Sequence, residues 1–134
     1  MAKITNEMKQ VAEKAEIFAV ATATENGEPN VVPIAFGKVL SDDKFLLMDN
    51  FMKKTIENIK VNPRVAISVW EMEDSKGYQL KGNARIETSG ELFNDGVKWV
   101  RNVEPELSPK AAVIVNVDSI YVTTPGPNAG RKVS

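Results

Sequence analysis

The sequence predicts a mainly β fold, a small antiparallel barrel of six strands that carries helices. Three observations lead to this prediction: the apolar segments are short, turn residues join most of them as hairpins, and helical periodicity follows the third and the fifth strand. The chain has 134 residues, which suits one domain with one core, so we assign residues 1–134 to a single domain.

The first elements are a helix and a hairpin. Within residues 1–16, apolar residues recur at helical spacing, and Thr5 or Asn6 is available as a cap, which predicts an N-terminal amphipathic helix. Residues 17–24 predict the first strand. The Asn26-Gly27 dipeptide then favours a tight type I′ turn into a second strand at residues 29–40.

Pro33 interrupts the second strand. Because proline donates no ladder hydrogen bond, it suits an edge strand or a bulge. One interpretation is that it protects an edge against aggregation. The other is that an interrupted ladder leaves backbone groups free to meet a planar ligand.

The remaining elements follow the same logic of alternation and turn residues. Ser89 is the predicted cap of a second long helix, whose apolar residues from Leu92 to Val100 share one face. The Pro- and Gly-rich residues 125–134 are expected to form an irregular tail or a lid. The other predicted strands lie at residues 44–48, 64–70, 78–87 and 111–123, the last as one or two strands.

The segment after the third strand carries the main functional signal. An apolar strand runs into a polar bend, and Lys53, Lys54 and Thr55 then open a short helix before the Asn62-Pro63 break. Because the first turn of a helix has unpartnered N–H groups and the positive end of the dipole, these residues favour an anion such as a phosphate. A solvated helix start with two surface lysines is the alternative.

Composition excludes several function classes. A net charge of −1 disfavours nucleic-acid binding. With no Cys and no His, the chain has no thiol nucleophile, no Ser-His-Asp triad and no zinc site of the usual ligands, and its acidic residues show no metal-binding spacing. The apolar runs are too short to span a membrane and the N-terminus lacks a secretion signal, so we expect a cytoplasmic protein without membrane partners.

Together these residues resemble the pyridoxamine 5′-phosphate oxidase superfamily of split β-barrel flavoproteins, and in particular its small FMN-binding members. The resemblance covers residues 17–123 and implies an FMN-binding split barrel. It is carried by the first strand with its Asn-Gly hairpin, the Val-Val-Pro-Ile segment, and Lys54-Thr55 followed by Asn58-Ile59 and Asn62-Pro63-Arg64-Val65.

The resemblance also implies a homodimer with FMN between its two subunits, and it assigns the parts of the cofactor to residues. They are Lys53, Lys54 and Thr55 for the phosphate; Met48, Asp49 and Asn50 for the ribityl chain and ring edge; Val32, Pro33 and Ile34 for the isoalloxazine, mainly through backbone atoms; and Gln79, Lys81 and Trp99 for the partner side.

The function expected from this resemblance is an FMN-dependent oxidoreductase in which the flavin carries the electrons. No side chain stands out as a catalytic acid or base. A non-catalytic flavin carrier or electron-transfer protein is the alternative, and a deazaflavin could use the same lysines. Haem is the least favoured cofactor because His and Cys ligands are missing. The chain also lacks the His and Arg groups that grip pyridoxal phosphate, so vitamin B6 oxidation is not expected.

Overall fold

The computed structural model describes residues 2–134 and shows one curled antiparallel sheet with three helices. The mainly β prediction is confirmed. No helix in this part of the chain is long and apolar enough to cross a membrane. The elements are α1 (Asn6–Lys14), β1 (Phe18–Ala23), β2 (Pro29–Ile34), β3 (Gly37–Ser41), β4 (Lys44–Asp49), α2 (Lys54–Val61), β5 (Arg64–Glu71), β6 (Lys76–Glu87), α3 (Glu91–Val103) and β7 (Ala111–Val122).

The sheet has seven strands in the order β2-β1-β5-β6-β7-β4-β3, so the prediction of six strands was wrong. The predicted second strand divides, because its first half pairs with β1 and its second half pairs with β4. Only Ala35 and Phe36 separate the two halves, which are the two edges of the sheet. The sheet therefore curls until its edges meet at this link, which gives a split barrel.

Two residues near the link suit their positions. Pro33 lies on the edge strand β2 opposite Ala19, which confirms the predicted edge position. Gly37 passes directly over the core, since a Cβ on this residue would lie 2.9 Å from Cδ2 of Phe18. A glycine at this point lets β3 approach the aromatic residues of the interior.

The main core fills the inside of the curled sheet. Phe18 and Phe45 meet edge to face with their ring centroids 5.2 Å apart, and α1 closes one end of the barrel with Met8 and Val11. Of the two predicted caps for α1, Thr5 is the one used, because its hydroxyl accepts a hydrogen bond from the Met8 amide at 3.3 Å.

A second, smaller core lies on the outer face of β4 and β7. The apolar face of α3, as predicted, packs against Leu46, Met48 and Ile114. The predicted Ser89 cap was wrong: Gly90 holds the cap position with a φ of +95°, and no side chain caps the helix. A glycine adopts this φ more easily than any other residue, so Gly90 suits the cap position. The helix therefore begins one residue later than predicted.

The β1–β2 hairpin is confirmed, but its turn is not of type I′. The Gly27 amide donates to the Thr24 carbonyl at 3.0 Å, and the Thr24 amide donates to the Glu28 carbonyl at 3.0 Å. Gly27 has a φ of +87°, whereas Asn26 is not among the residues with positive φ. A type I′ turn needs positive φ at both central residues, so the loop instead resembles a type I turn followed by a left-handed glycine.

The C-terminal segment, residues 125–134, is hydrogen-bonded to the end of β7. The Gly130 amide donates to the Val122 carbonyl at 2.7 Å, and the Val133 amide donates to the Ile120 carbonyl at 2.9 Å. Tyr121 and Lys132 form an antiparallel bridge. The segment therefore has more regular structure than expected from its Pro and Gly content, although a role as a lid stays a prediction.

Gly82 occupies a register shift between β6 and β7, where a Cβ would overlap the backbone of Asn116. We expect Gly82→Ala to lower the free energy of unfolding by about 1–3 kcal/mol, as overpacking of this kind does. Chemical denaturation measures this change. The exposed Asn83→Ala in the same strand is the control, and equal effects of the two variants would contradict the prediction.

Candidate cofactor site

A cleft of about 560 Å³ opens between β2, the end of β4 and the start of α2. This volume falls within the range of small-molecule and cofactor sites. Segments that are far apart in sequence meet here because β2 is an edge strand and α2 begins directly after the loop that follows β4. The lining residues come from residues 30–36, Met48, residues 50–55 and Leu107.

Most of the residues predicted to hold a cofactor line this cleft. The structure brings together the predicted residues of β2, of the end of β4 and of the start of α2. The sequence analysis had assigned these three groups to one site. The predicted residues found in the lining are Val32, Pro33, Ile34, Met48, Asn50, Lys53, Lys54 and Thr55.

The start of α2 is an open anion-binding position. Lys53 occupies the N-cap position, and among residues 2–134 no side chain caps the helix. The first intrahelical bond of this turn joins the Glu57 amide to the Lys53 carbonyl at 3.1 Å, so the amides of Lys54, Thr55 and Ile56 have no intrahelical acceptor. With two exposed lysines beside these donors, the helix start favours a negatively charged ligand.

A buried polar network ties this helix start to the sheet. The Asn30 side-chain amide donates to the hydroxyls of Thr22 and Thr55, each at 3.2 Å, and the Asn58 amide donates to Thr22 at 3.0 Å. The sequence analysis missed Asn30. Strand alternation could have found it, because Asn30 shares a face with Val32 and Ile34 and is the polar member of that set.

The cleft has a polar and an apolar end. Asn30 and Thr55 mark the polar end by their contact. Along β2 the lining then becomes apolar through Val32 and Ile34 to Phe36, whose carbonyl accepts a hydrogen bond from the Met48 amide at 2.9 Å. At about 3.3 Å per residue, this stretch suits an elongated ligand with one anionic end.

Asp49 supports the loop before α2 and is not among the residues that line the cleft. Its carboxylate is buried and accepts a hydrogen bond from the Met52 amide at 2.8 Å. Lys110 donates to the Met52 carbonyl at 3.0 Å, with its ammonium 3.8 Å from the Asp49 carboxylate. The two side chains therefore hold the loop at residues 50–53 through the backbone of Met52. The sequence analysis had instead expected Asp49 to line the ribityl chain and ring edge.

Asn50 contributes an unpartnered acceptor to the lining of the cleft. Its side-chain oxygen is buried without a hydrogen-bond partner in residues 2–134, although the residue lines the cleft. A buried acceptor without a partner is costly, so such an atom calls for a donor from outside the chain.

The residues predicted for the partner side lie away from the cleft. Gln79 and Lys81 belong to β6, where the Lys81 ammonium lies 5.0 Å from the centroid of the Tyr121 ring. Trp99, on α3, packs edge to face against Phe36 with centroids 5.6 Å apart. Phe36, which Trp99 contacts, lines the cleft, whereas Trp99 itself does not, and the role of these three residues in a second subunit stays a prediction.

The sequence analysis also missed residues at the rim. Phe51 is 84% exposed and Val31 is 66% exposed, and both line the cleft. Side-chain alternation along an edge strand could have identified Val31. Phe51 could have been identified as a large apolar residue in a polar bend. The other missed lining residues are Ala35, Phe36, Met52 and Leu107.

The Asn-Pro-Arg-Val motif is structural in this chain. Arg64 pairs through both terminal nitrogens with Asp118, and its hydrogen bond holds the pKa of the Asp118 carboxyl below its usual value. Asn62 accepts a bond from the Arg64 amide at 3.2 Å. The motif therefore fastens the end of α2 to the sheet and does not reach the cleft.

This combination of a split barrel, an apolar cleft and an uncapped basic helix start defines a cofactor-binding class of β-barrel. The family model described as pyridoxamine 5′-phosphate oxidase matches residues 4–124. The chain therefore belongs to this family of FMN-binding split barrels. It is 38% identical to the uncharacterized protein MJ0282 of Methanocaldococcus jannaschii over 134 residues, which cover 98% of this chain and 89% of that protein.

Solved structures share the fold. HupZ of Group A Streptococcus is 31% identical with a TM-score of 0.82, covering 95% of this chain and 99% of that chain. An FMN-binding protein from Syntrophomonas wolfei is 18% identical with a TM-score of 0.72, covering 84% and 86%. The fold also occurs in HutZ, the heme storage protein from Vibrio cholerae, at 18% identity and a TM-score of 0.66, covering 90% and 94%. An F420 reductase shares it at 16% identity and a TM-score of 0.64, covering 84% and 94%.

The support that Asp49 gives to the loop is open to a direct test. We expect Asp49→Ala to free the Met52 amide and to speed its hydrogen exchange, at a cost of about 1–3 kcal/mol in the free energy of unfolding, because a buried donor loses its acceptor. Asp49→Asn is the matched control, since its side-chain oxygen can still accept. Equal exchange of the Met52 amide in both variants would show that the carboxylate does not hold the loop.

Proposed function

We propose that the protein binds FMN in this cleft as a homodimer and acts as a flavin-dependent oxidoreductase. The observation that carries the proposal is the uncapped start of α2, with Lys53 and Lys54, at the polar end of an otherwise apolar cleft. Membership of a family of FMN-binding split barrels supports the same cofactor.

The polar end suits the phosphate of FMN. A phosphate carries up to two negative charges and accepts several hydrogen bonds, which the amides of the first α2 turn, the two ammonium groups and the Thr55 hydroxyl would supply. All of these groups donate. Nothing else on the FMN molecule matches such a concentration of donors and positive charge.

The apolar end suits the isoalloxazine ring. Val32 and Ile34 would pack against the ring, and β2 is an edge strand whose outer backbone groups would bind its polar edge. The unpartnered oxygen of Asn50 would accept a hydrogen bond from an O–H of the ribityl chain or an N–H of the ring. When bound, FMN supplies the redox chemistry, while these residues bind it, orient it and exclude water from it.

An uncovered face of the sheet supports the homodimer. The outward residues in the middle of β1 and β5 are small, with Arg64 and Trp70 toward the two ends of β5, and no helix of residues 2–134 covers the small ones: α1 and α2 pack on the inner core, while α3 packs on β4 and β7. Exposed Val31 continues this face to the rim of the cleft, where Phe51 is also exposed. The outward residues include Ala19, Ala21, Ala66 and Ser68. A second copy on this face would shield the open side of the cofactor.

Two alternatives use the same cleft. A non-catalytic flavin carrier or electron-transfer protein needs the phosphate site and no substrate pocket. A deazaflavin could use the same lysines. An F420 reductase has this fold, which supports deazaflavin as an alternative cofactor. The name of HutZ raises haem as well, but a chain without His and Cys lacks the common axial ligands.

The absorption spectrum of the purified protein separates these cofactors, because FMN, deazaflavin and haem absorb differently. An FMN spectrum is expected. Reduction of the bound flavin by a nicotinamide cofactor at a useful rate then supports an enzyme over a carrier. A protein that neither carries nor takes up FMN would contradict the proposal.

Lys54→Ala tests the phosphate assignment. We expect the variant to bind FMN roughly ten- to a hundredfold more weakly, as for the loss of a hydrogen bond to a charged group, while riboflavin, which lacks the phosphate, is little affected. Lys60→Ala removes the same charge from the last turn of the same helix and is the matched control. Titration by flavin fluorescence of the natural chain and the two variants gives all six affinities, and equal losses for FMN and riboflavin in Lys54→Ala would place the phosphate elsewhere.

The dimer is tested at the small-residue face. Sedimentation is expected to show a dimer for the natural chain and a monomer with weaker FMN binding for Ala66→Arg, because the long charged side chain would stand in the middle of this face. Met72→Arg, in an exposed loop, is the control. A stable monomer with FMN fully bound would overturn the dimer proposal.

A further inference from the structure

We infer that Asn30 is a positioning residue that makes the Thr55 hydroxyl a hydrogen-bond donor toward the cleft, and that it thereby sets the preference for a phosphorylated ligand. The inference rests on the proposed function. It deepens that proposal by naming a residue on β2, outside the α2 segment, that would control recognition of the phosphate.

The geometry begins with the two hydrogens of the Asn30 amide. The nitrogen lies 3.2 Å from the Thr22 hydroxyl oxygen and 3.2 Å from the Thr55 hydroxyl oxygen, so each hydrogen has its own acceptor. Thr22 also accepts from Asn58 at 3.0 Å. Thr22, Thr55 and Asn58 are buried, which shields these bonds from water.

The direction of these bonds decides what Thr55 can offer. A threonine hydroxyl has one hydrogen and two lone pairs. Because Asn30 donates to one lone pair, the hydrogen of Thr55 must point away from Asn30. Thr55 is buried and lines the cleft, so the proposal places this hydrogen on the cleft side.

A donor in this position discriminates between ligands. The neighbouring groups of the first α2 turn also donate, so a hydroxyl turned to accept would oppose them in binding an anion. A phosphate needs donors only, whereas the terminal hydroxyl of riboflavin can both donate and accept. Fixing the Thr55 hydrogen outward therefore favours FMN over riboflavin.

The experiment measures the ratio of FMN to riboflavin affinity in a double-mutant cycle of Asn30→Ala and Thr55→Val. Asn30→Ala alone is expected to lower this ratio about tenfold, the low end for a bond to a charged group. In the Thr55→Val background the same change is expected to leave the ratio unaltered. Thr22→Val removes the other acceptor of Asn30 and is the control: it should lower stability without changing the ratio.

A second variant covers the case in which Asn30→Ala fails to fold. Asn30→Asp replaces the donor by an acceptor that draws the Thr55 hydrogen away from the cleft, so the ratio is expected to fall further than in Asn30→Ala. The new carboxylate also repels the phosphate, and the smaller loss expected in the Thr55→Val background measures that repulsion alone. An unchanged ratio in Asn30→Asp, an equal loss for both ligands, or the same loss in the Thr55→Val background would overturn the inference. If the natural chain shows no preference for FMN over riboflavin, the phosphate site itself is wrong.

Discussion

The structure depends on one constraint: residues 29–41 must pair with two different strands. Their first half continues the sheet beyond β1 and their second half continues it beyond β4, with only Ala35 and Phe36 between. A link this short cannot join two distant edges, so the sheet has to curl. The barrel interior, the position of α1 over one end and the cleft beside β2 all follow from this closure.

The same closure creates the electrostatic character of the cleft. It brings the free edge of β2 next to the start of α2, and the contact between Asn30 and Thr55 holds the two together. One end of the cleft thus receives amide donors and lysines, while the other is lined by apolar residues of β2 and by Met48. An elongated molecule with one anionic end and one apolar end fits this separation better than a wholly apolar or wholly charged one.

Several residues of the functional segment support the site without lining it. Asp49 and Lys110 hold the loop before α2, and Asn62 fastens the C-terminal end of the helix by bonds with the Arg64 amide and the Thr24 carbonyl. Asn58 reaches Thr22 within the buried network. A short helix of this kind has little stability of its own, so its orientation depends on these side-chain bonds. Residues that support the site and residues that line it are therefore interleaved along one motif.

The sequence by itself determined the mainly β class, the positions of the helices and the apolar faces, because strand and helix periodicity are local properties. It also identified the basic helix start after β4. Only the tertiary structure decided that the strand at residues 29–40 divides, that Gly90 and not Ser89 holds the cap position of α3, and that the Asp49 carboxylate binds the Met52 amide of the loop. It also revealed Asn30, since a contact across 25 positions has no signature in local spacing. These outcomes depend on which strands meet across the closed sheet, and no single segment carries that information.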